Sequence, residues 1–192
     1  MSASNDKIVQ KNLETGGGDV AGGNIDKSQH LYFHSQFGDD SYLQHLYEQL
    51  NTDIATGRKI ENMCEILNDF IATDEDEVVG LETKLARGGM DAQLWYARSC
   101  KETYAKNITR YAMYETAQVI HAYLLSKVES GYVASITPIL SKTPPERKFE
   151  IVRKIVLNEL EAKLGKNPLR LHSREIDGML FFLTGKCRIK WE

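Results

Sequence analysis

The sequence predicts a mainly α-helical bundle with one long helix, a glycine-rich N-terminal arm of short β- or solenoid-like turns, and a short extended C-terminal tail. Three observations carry this. Between Asp40 and Leu183 apolar residues recur at i, i+3, i+4 and i+7, the spacing that lines one face of a helix. Five of the 14 glycines fall between Gly16 and Gly23, where they mark tight turns. From Cys187 to Trp191 apolar and basic residues alternate, the period of an extended chain. The expected organisation is an arm over residues 1–38, for oligomerisation or partner binding, and a helical domain with its tail over 39–192.

Composition narrows the function classes. The 192 residues hold 24 Lys and Arg against 27 Asp and Glu, a net charge of −3 and a pI near 6.0. A general binder of nucleic acid or anionic membrane is strongly basic, so neither class is expected. No apolar h-region opens the chain, and no run reaches the ~20 apolar residues of a membrane helix. The three cysteines, Cys64, Cys100 and Cys187, stand far apart without a CxxC pair, as suits a reducing compartment. A soluble, cytoplasmic protein is the expectation, with its cysteines acting as small buried hydrophobes.

In the arm, aliphatic residues follow Asn or Asp three times: Asn12-Leu13, Asp19-Val20 and Asn24-Ile25. Units this short cannot bury their side chains without stacked neighbours. The run reads either as a flexible disordered leader or as an arm that orders against copies of itself or a partner, and on the second reading Leu13, Val20 and Ile25 are expected to make inter-subunit contacts. The nearby AGGNIDKS run misses the Walker pattern, because Ala21 and Asp26 stand where glycines belong.

The first helix is expected from Asp40, with caps at Asp39, Asp40 and Ser41 and a stripe of Leu43, Leu46, Tyr47, Leu50 and Ile54. After Gly57, which either breaks or weakens it, the stripe resumes at Ile60, Met63, Ile66, Leu67, Phe70 and Ile71. The acidic run Asp74–Glu77 reads as a solvated loop before a short helix, Val78 to Leu85, that stops at Gly88-Gly89. The longest helix is expected from Asp91 to Glu129, with a stripe running from Leu94 and Trp95 to Tyr123 and Leu124 and a stop at Gly131. Thr143-Pro144-Pro145-Glu146 reads as a Thr-capped helix start for a stripe of Phe149, Val152, Ile155, Val156 and Leu160, closed by Gly165. Ser173 is expected to cap the last helix, carrying Ile176, Met179, Leu180, Phe182 and Leu183 as far as Gly185. In the tail, Cys187, Ile189 and Trp191 share one face and serve as its anchor and interface residues.

No residue set makes a strong catalytic signature, and no cofactor is expected. His30 and His34 share a face and Asp39 adds a carboxylate, the nearest approach to a metal set, but no further ligand completes it. His121 falls on the apolar face of a helix and reads as a core histidine. Arg110 and His121 are about three helical turns apart, and Arg170 is too close to His172, so neither pair fits the Arg-x(4–6)-His spacing of helical ribonucleases, whose acid–base cleavage brings both groups to one phosphate. Lys186, Arg188 and Lys190 could touch phosphate but read as a solvated face.

Residues 177–191, DGMLFFLTGKCRIKW, resemble the closing motif of C-terminal domains from bacterial ABC-three-component conflict systems, a pattern like GMLYxLxxxCHIxW. Gly178, Met179, Leu180, the hydrophobic block at Phe182, Cys187, Ile189 and Trp191 match; Phe181 replaces the usual Tyr and Arg188 the usual His. The glycine-rich arm is similar to leaders found in such anti-phage systems. The resemblance implies a non-catalytic domain that couples an effector to an ABC/SMC-like ATPase and a small middle component. In most members an enzymatic domain comes first; a glycine-rich arm in its place implies a free-standing accessory subunit, or effector activity on another polypeptide. The resulting expectation is a homo-oligomeric scaffold or adaptor whose partners are itself and an ATPase or effector, with no direct nucleic-acid or membrane contact. The alternatives are a small helical nuclease or metal-dependent hydrolase built on His30, His34 and Asp39, and a nucleic-acid sensor using the basic tail.

Overall fold

The computed structural model describes residues 41–72 and 79–192. The arm with Leu13, Val20 and Ile25, the candidate ligands His30, His34 and Asp39, and the Asp74–Glu77 run lie outside the described residues. Within them the fold is mainly helical and contains no strand.

Helix α1, Ser41–Thr56, turns Leu43, Leu46, Tyr47 and Leu50 inward, while Ile54 stays exposed. Gly57 ends it at φ +68°. The next amide, of Arg58, returns to the Asp53 carbonyl at 3.0 Å, a left-handed stop that glycine adopts without a Cβ clash. The stripe beginning at Ile60 yields only the short α2, Glu65–Ile71. Both helices pack on α5, Glu115–Gly131. Helix α3, Leu81–Arg87, starts after Gly80 and stops at Gly88-Gly89.

The single long helix is corrected to two. Helix α4, Leu94–Tyr111, follows a 3-10 turn at Asp91–Gln93, and α5 starts after a break at Ala112–Tyr114. Glycine and proline are absent at this break, which is held from elsewhere. The Gln118 side chain donates to the Ala112 carbonyl at 2.5 Å and accepts from the Cys64 amide at 2.5 Å. The Ile60 amide takes the Met113 carbonyl at 2.9 Å. Carbonyls that a continuous helix would bond internally are satisfied by these groups instead.

Gly131 is not a stop either. The helix continues through a π turn, Tyr132–Ile136, into α6, Thr137–Leu140. Pro138 lacks an N–H and its ring crowds the carbonyl one turn earlier, so a widened turn before it keeps the helix going. A second π turn, Arg153–Leu157, joins α7, Pro145–Val152, to α8, Asn158–Leu164. Its extra residue shifts the register and leaves Ile155 exposed. The cap of α7 is Pro144 rather than Thr143. Gly165 closes α8 at φ +50°.

Helix α9, Ser173–Gly185, is the centre of the bundle. Every residue from Ile176 to Thr184 is buried, and the helix packs on α3, α4 and α5. A helix buried on all sides has no solvent face to pattern. Its cap is His172, not Ser173; the His172 amide bonds the Glu175 carboxylate at 3.1 Å, half of a capping box. Gly178 permits the crossing of α9 on α4: a Cβ there would sit 2.6 Å from the Tyr104 Cβ and closer still to the Cys100 carbonyl.

Candidate functional site

The segment closing the chain folds back on its own domain. Ile189 and Trp191 are each 1% exposed. The Trp191 indole donates to Thr184 Oγ1 at 3.1 Å and meets the Tyr132 ring edge-on at 5.6 Å between centroids. The Tyr132 hydroxyl donates to the Lys190 carbonyl at 2.6 Å. Gly88 gives Trp191 its seat, since a Cβ on Gly88 would lie 2.5 Å from the Trp191 Cβ.

Two buried lysines pin this segment. Lys148 Nζ donates to the Trp191 carbonyl at 2.6 Å and the Gly88 carbonyl at 3.1 Å. Lys84 Nζ donates to the Thr184 carbonyl at 2.7 Å and to Cys187 Sγ at 2.8 Å. Cys187 is half-buried and takes φ +63°, the turn that sends the tail back across α3.

The basic residues of the tail are not a solvated face. Lys186 donates to the Ile71 carbonyl. Arg188 spans α2 and α5: it lies 4.5 Å over the Phe70 ring, donates to the Asp69 carbonyl at 2.6 Å, and meets both Glu129 oxygens at 3.3 Å. Lys190 alone of the three is exposed. A phosphate would have to displace protein acceptors already held by Lys186 and Arg188.

The first residue of the motif, Asp177, is a carboxylate 2% exposed. Tyr96 donates to its Oδ2 at 2.6 Å, and Arg153 pairs with its Oδ1. Arg153 also bonds Glu161 at 2.7 Å, and Ser173 donates to the same Glu161 carboxylate. Burial raises the Asp177 carboxyl above the ordinary carboxylate range, although Tyr96 and Arg153 pull the other way. The same burial, aided by Asp177, pushes the Tyr96 phenol up. A buried charge needs such partners, and the network joins α4, the second π turn, α8 and α9 around it.

His121 is 1% exposed on α5. Its Nδ1 shares a hydrogen bond with the Tyr104 hydroxyl at 3.2 Å, and its Nε2 is buried without a partner. Burial holds its pKa down at about 3, so it is a neutral core residue. Among the described residues no three His, Cys, Asp or Glu side chains converge as metal ligands, and no helix is long and apolar enough to cross a membrane.

Trp95 departs from its expected place in an apolar stripe, standing 78% exposed near the start of α4. Periodicity and motif spacing do not single out Lys84, Lys148 or the Asp177 network. A trace of them exists in the sequence: Lys84 sits at helical spacing with Leu81 and Leu85, Lys148 with Val152, and Asp177 interrupts an otherwise apolar run.

These features define a helical module that is closed by its own terminal segment. A family model, C-terminal domain 9 of the ABC-three-component (ABC-3C) systems, matches residues 80–191. The match begins at the residue before α3, ends on Trp191 and spans more than half of the chain, which belongs to this family. No curated protein and no solved structure matches the chain. Helices α1 and α2 lie outside the matched span, so Arg188, standing where the resembling pattern has His, ties the family domain to a segment beside it.

Proposed function

We propose that the chain is a non-catalytic, homo-oligomeric adaptor subunit of a bacterial anti-phage defence complex, coupling to the ABC/SMC-like ATPase or the effector of its system. Membership in a domain family of ABC-3C systems supports a role among those components. The observation that carries the adaptor reading is a division of labour. The polar groups of the closing segment hold the fold, whereas Trp95 stands 78% exposed. An aromatic left in water at this level is the kind of side chain that dominates protein interfaces. Leu13, Val20 and Ile25 of the arm would supply the contacts between copies, and Cys187, Ile189 and Trp191 would anchor the tail of each.

The test is co-purification of the tagged chain with the ATPase component of its ABC-3C system. Trp95→Glu is expected to abolish the complex without changing the thermal melt of the isolated chain. Capture unchanged by Trp95→Glu would remove Trp95 as the contact. Light scattering checks the oligomer: deletion of residues 1–28 should reduce it to monomer, and a monomeric full-length chain would end the arm's role.

A further inference from the structure

We propose that Cys187 and Lys84 form a redox-sensitive pair: peroxide oxidises the Cys187 sulfur, and the Lys84 amine captures it as a covalent S–N link that staples the tail to α3. The two groups are already in contact, with Nζ 2.8 Å from Sγ. They come from positions 103 residues apart, so the pair exists only in the folded chain.

Access is open from two sides. Cys187 lines a groove with Lys84, Arg87, Lys190, Trp191 and Glu192. It also lines a second, polar opening with Asp69, Lys186 and Arg188. Cationic, partly exposed surroundings are those in which cysteines react rather than merely pack. The cations form one cluster, since Lys84 and Lys186 both act on Lys101, whose pKa burial and their charges lower. The other cysteines are placed differently. Cys100 is fully buried and Cys64 opens α2; burial pushes both thiols up.

The chemistry balances with a peroxide as the two-electron oxidant. The sulfur, as thiolate, attacks one peroxide oxygen; the O–O bond breaks and Cys187 becomes a sulfenic acid. The hydroxide released takes a proton from the Lys84 ammonium and leaves as water. The Nζ lone pair, now available, attacks sulfur; the S–O bond breaks, and the departing hydroxide takes a second proton from Nζ as a second water. Sulfenic acids are known to condense with nitrogen in this way. A thiol reductant cleaves the S–N bond and restores both side chains. The link would fix the turn at Cys187 that seats Trp191, so an oxidant would tighten the closure of the domain rather than open it.

Hydrogen peroxide treatment of the full chain, followed by intact mass and non-reducing peptide mapping, tests this. The expected product is lighter by two hydrogens, joins the peptides of Lys84 and Cys187, and reverts with dithiothreitol. Its thermal unfolding midpoint should rise, and Cys187→Ser should show no peroxide-induced rise. In Lys84→Arg, which keeps the cation but lacks the amine, Cys187 should proceed to sulfinic acid, two oxygens heavier. Mapping of the unmodified sequence needs no variant to fold. Sulfinic acid at Cys187 with Lys84 unlinked in that sequence, or oxidation of Cys64 or Cys100 ahead of Cys187, would overturn the proposal.

Discussion

Arg188 sets its guanidinium carbon over the Phe70 ring, 4.5 Å from its centroid, and donates to the Asp69 carbonyl at 2.6 Å. One side chain thereby fastens the tail to α2 and, through Glu129, to α5. A cation over an aromatic face and a charge-assisted hydrogen bond each contribute about 1 kcal/mol at a part-exposed site.

Arg188→Ala should therefore lower stability by about 1–2 kcal/mol, read as a drop in the urea midpoint. Arg188→Lys should recover little of it, because an ammonium cannot stack on Phe70 and bridge Glu129 at once. A midpoint unmoved by either change would show that the contact contributes nothing.

Trp191→Ala should cost about 3–5 kcal/mol, the range for emptying a buried aromatic site. Trp191→Phe keeps one aromatic ring but removes the indole N–H that Thr184 Oγ1 accepts and leaves a small cavity, so its cost should fall between the ~1 kcal/mol of the lost bond and that of Trp191→Ala. The chain has two tryptophans, and Trp95 is exposed, so fluorescence of a Trp95→Phe background reports the burial of Trp191 alone.

Gly178→Ala offers a test of sign. Helix propensity alone favours alanine by about 1 kcal/mol. The added Cβ, however, meets the Tyr104 Cβ at 2.6 Å and the Cys100 backbone, and overpacking costs about 1–3 kcal/mol. Net destabilisation is expected. Gly185→Ala is the control: its Cβ would meet only the far end of Lys101, which can swing aside, so the melt should barely move.

Acid should weaken the fold through His121. Its pKa falls from the ordinary histidine value of 6.5 to about 3 in the folded chain. The folded state holds the ring neutral, so this stability is present above 6.5 and drains away as pH falls toward 3, at up to about 1.4 kcal/mol per unit. His121→Gln, which keeps a partner for the Tyr104 hydroxyl, should flatten that acid limb. Asp177 works in the opposite direction: its raised carboxyl favours the folded state at low pH and loses that advantage as pH rises through its folded value. Asp177→Asn should thus steepen the net loss on acidification. Urea midpoints between about pH 7 and pH 4 separate the two.

Helix α1 is legible in the sequence because its apolar stripe, Leu43, Leu46, Tyr47 and Leu50, is the face it buries, whereas α9 is legible only as an apolar run, being buried on every side. The break between α4 and α5 is not legible. Its carbonyls are taken by Gln118 and by Ile60, and neither belongs to a local stop signal. The two π turns escape for a related reason: an inserted residue shifts the stripe instead of ending it, which is how Ile155 comes to the surface. The buried lysines are hidden because their acceptors are backbone carbonyls 43 to 100 residues away. Periodicity sees which face a residue occupies, not which distant carbonyl will meet it there.

The position of α9 also sets an order of assembly. Its residues leave the ribosome after those of α3, α4 and α5, yet they form the centre on which those helices close. At about 5–20 residues per second, the roughly 75 residues between the middle of α4 and that of α9 take about 4–15 s to synthesise. During that interval the inner faces of α4 and α5, with Tyr104 and His121 among them, lack their central helix. Nascent chains of this domain are thus natural clients for a holding chaperone.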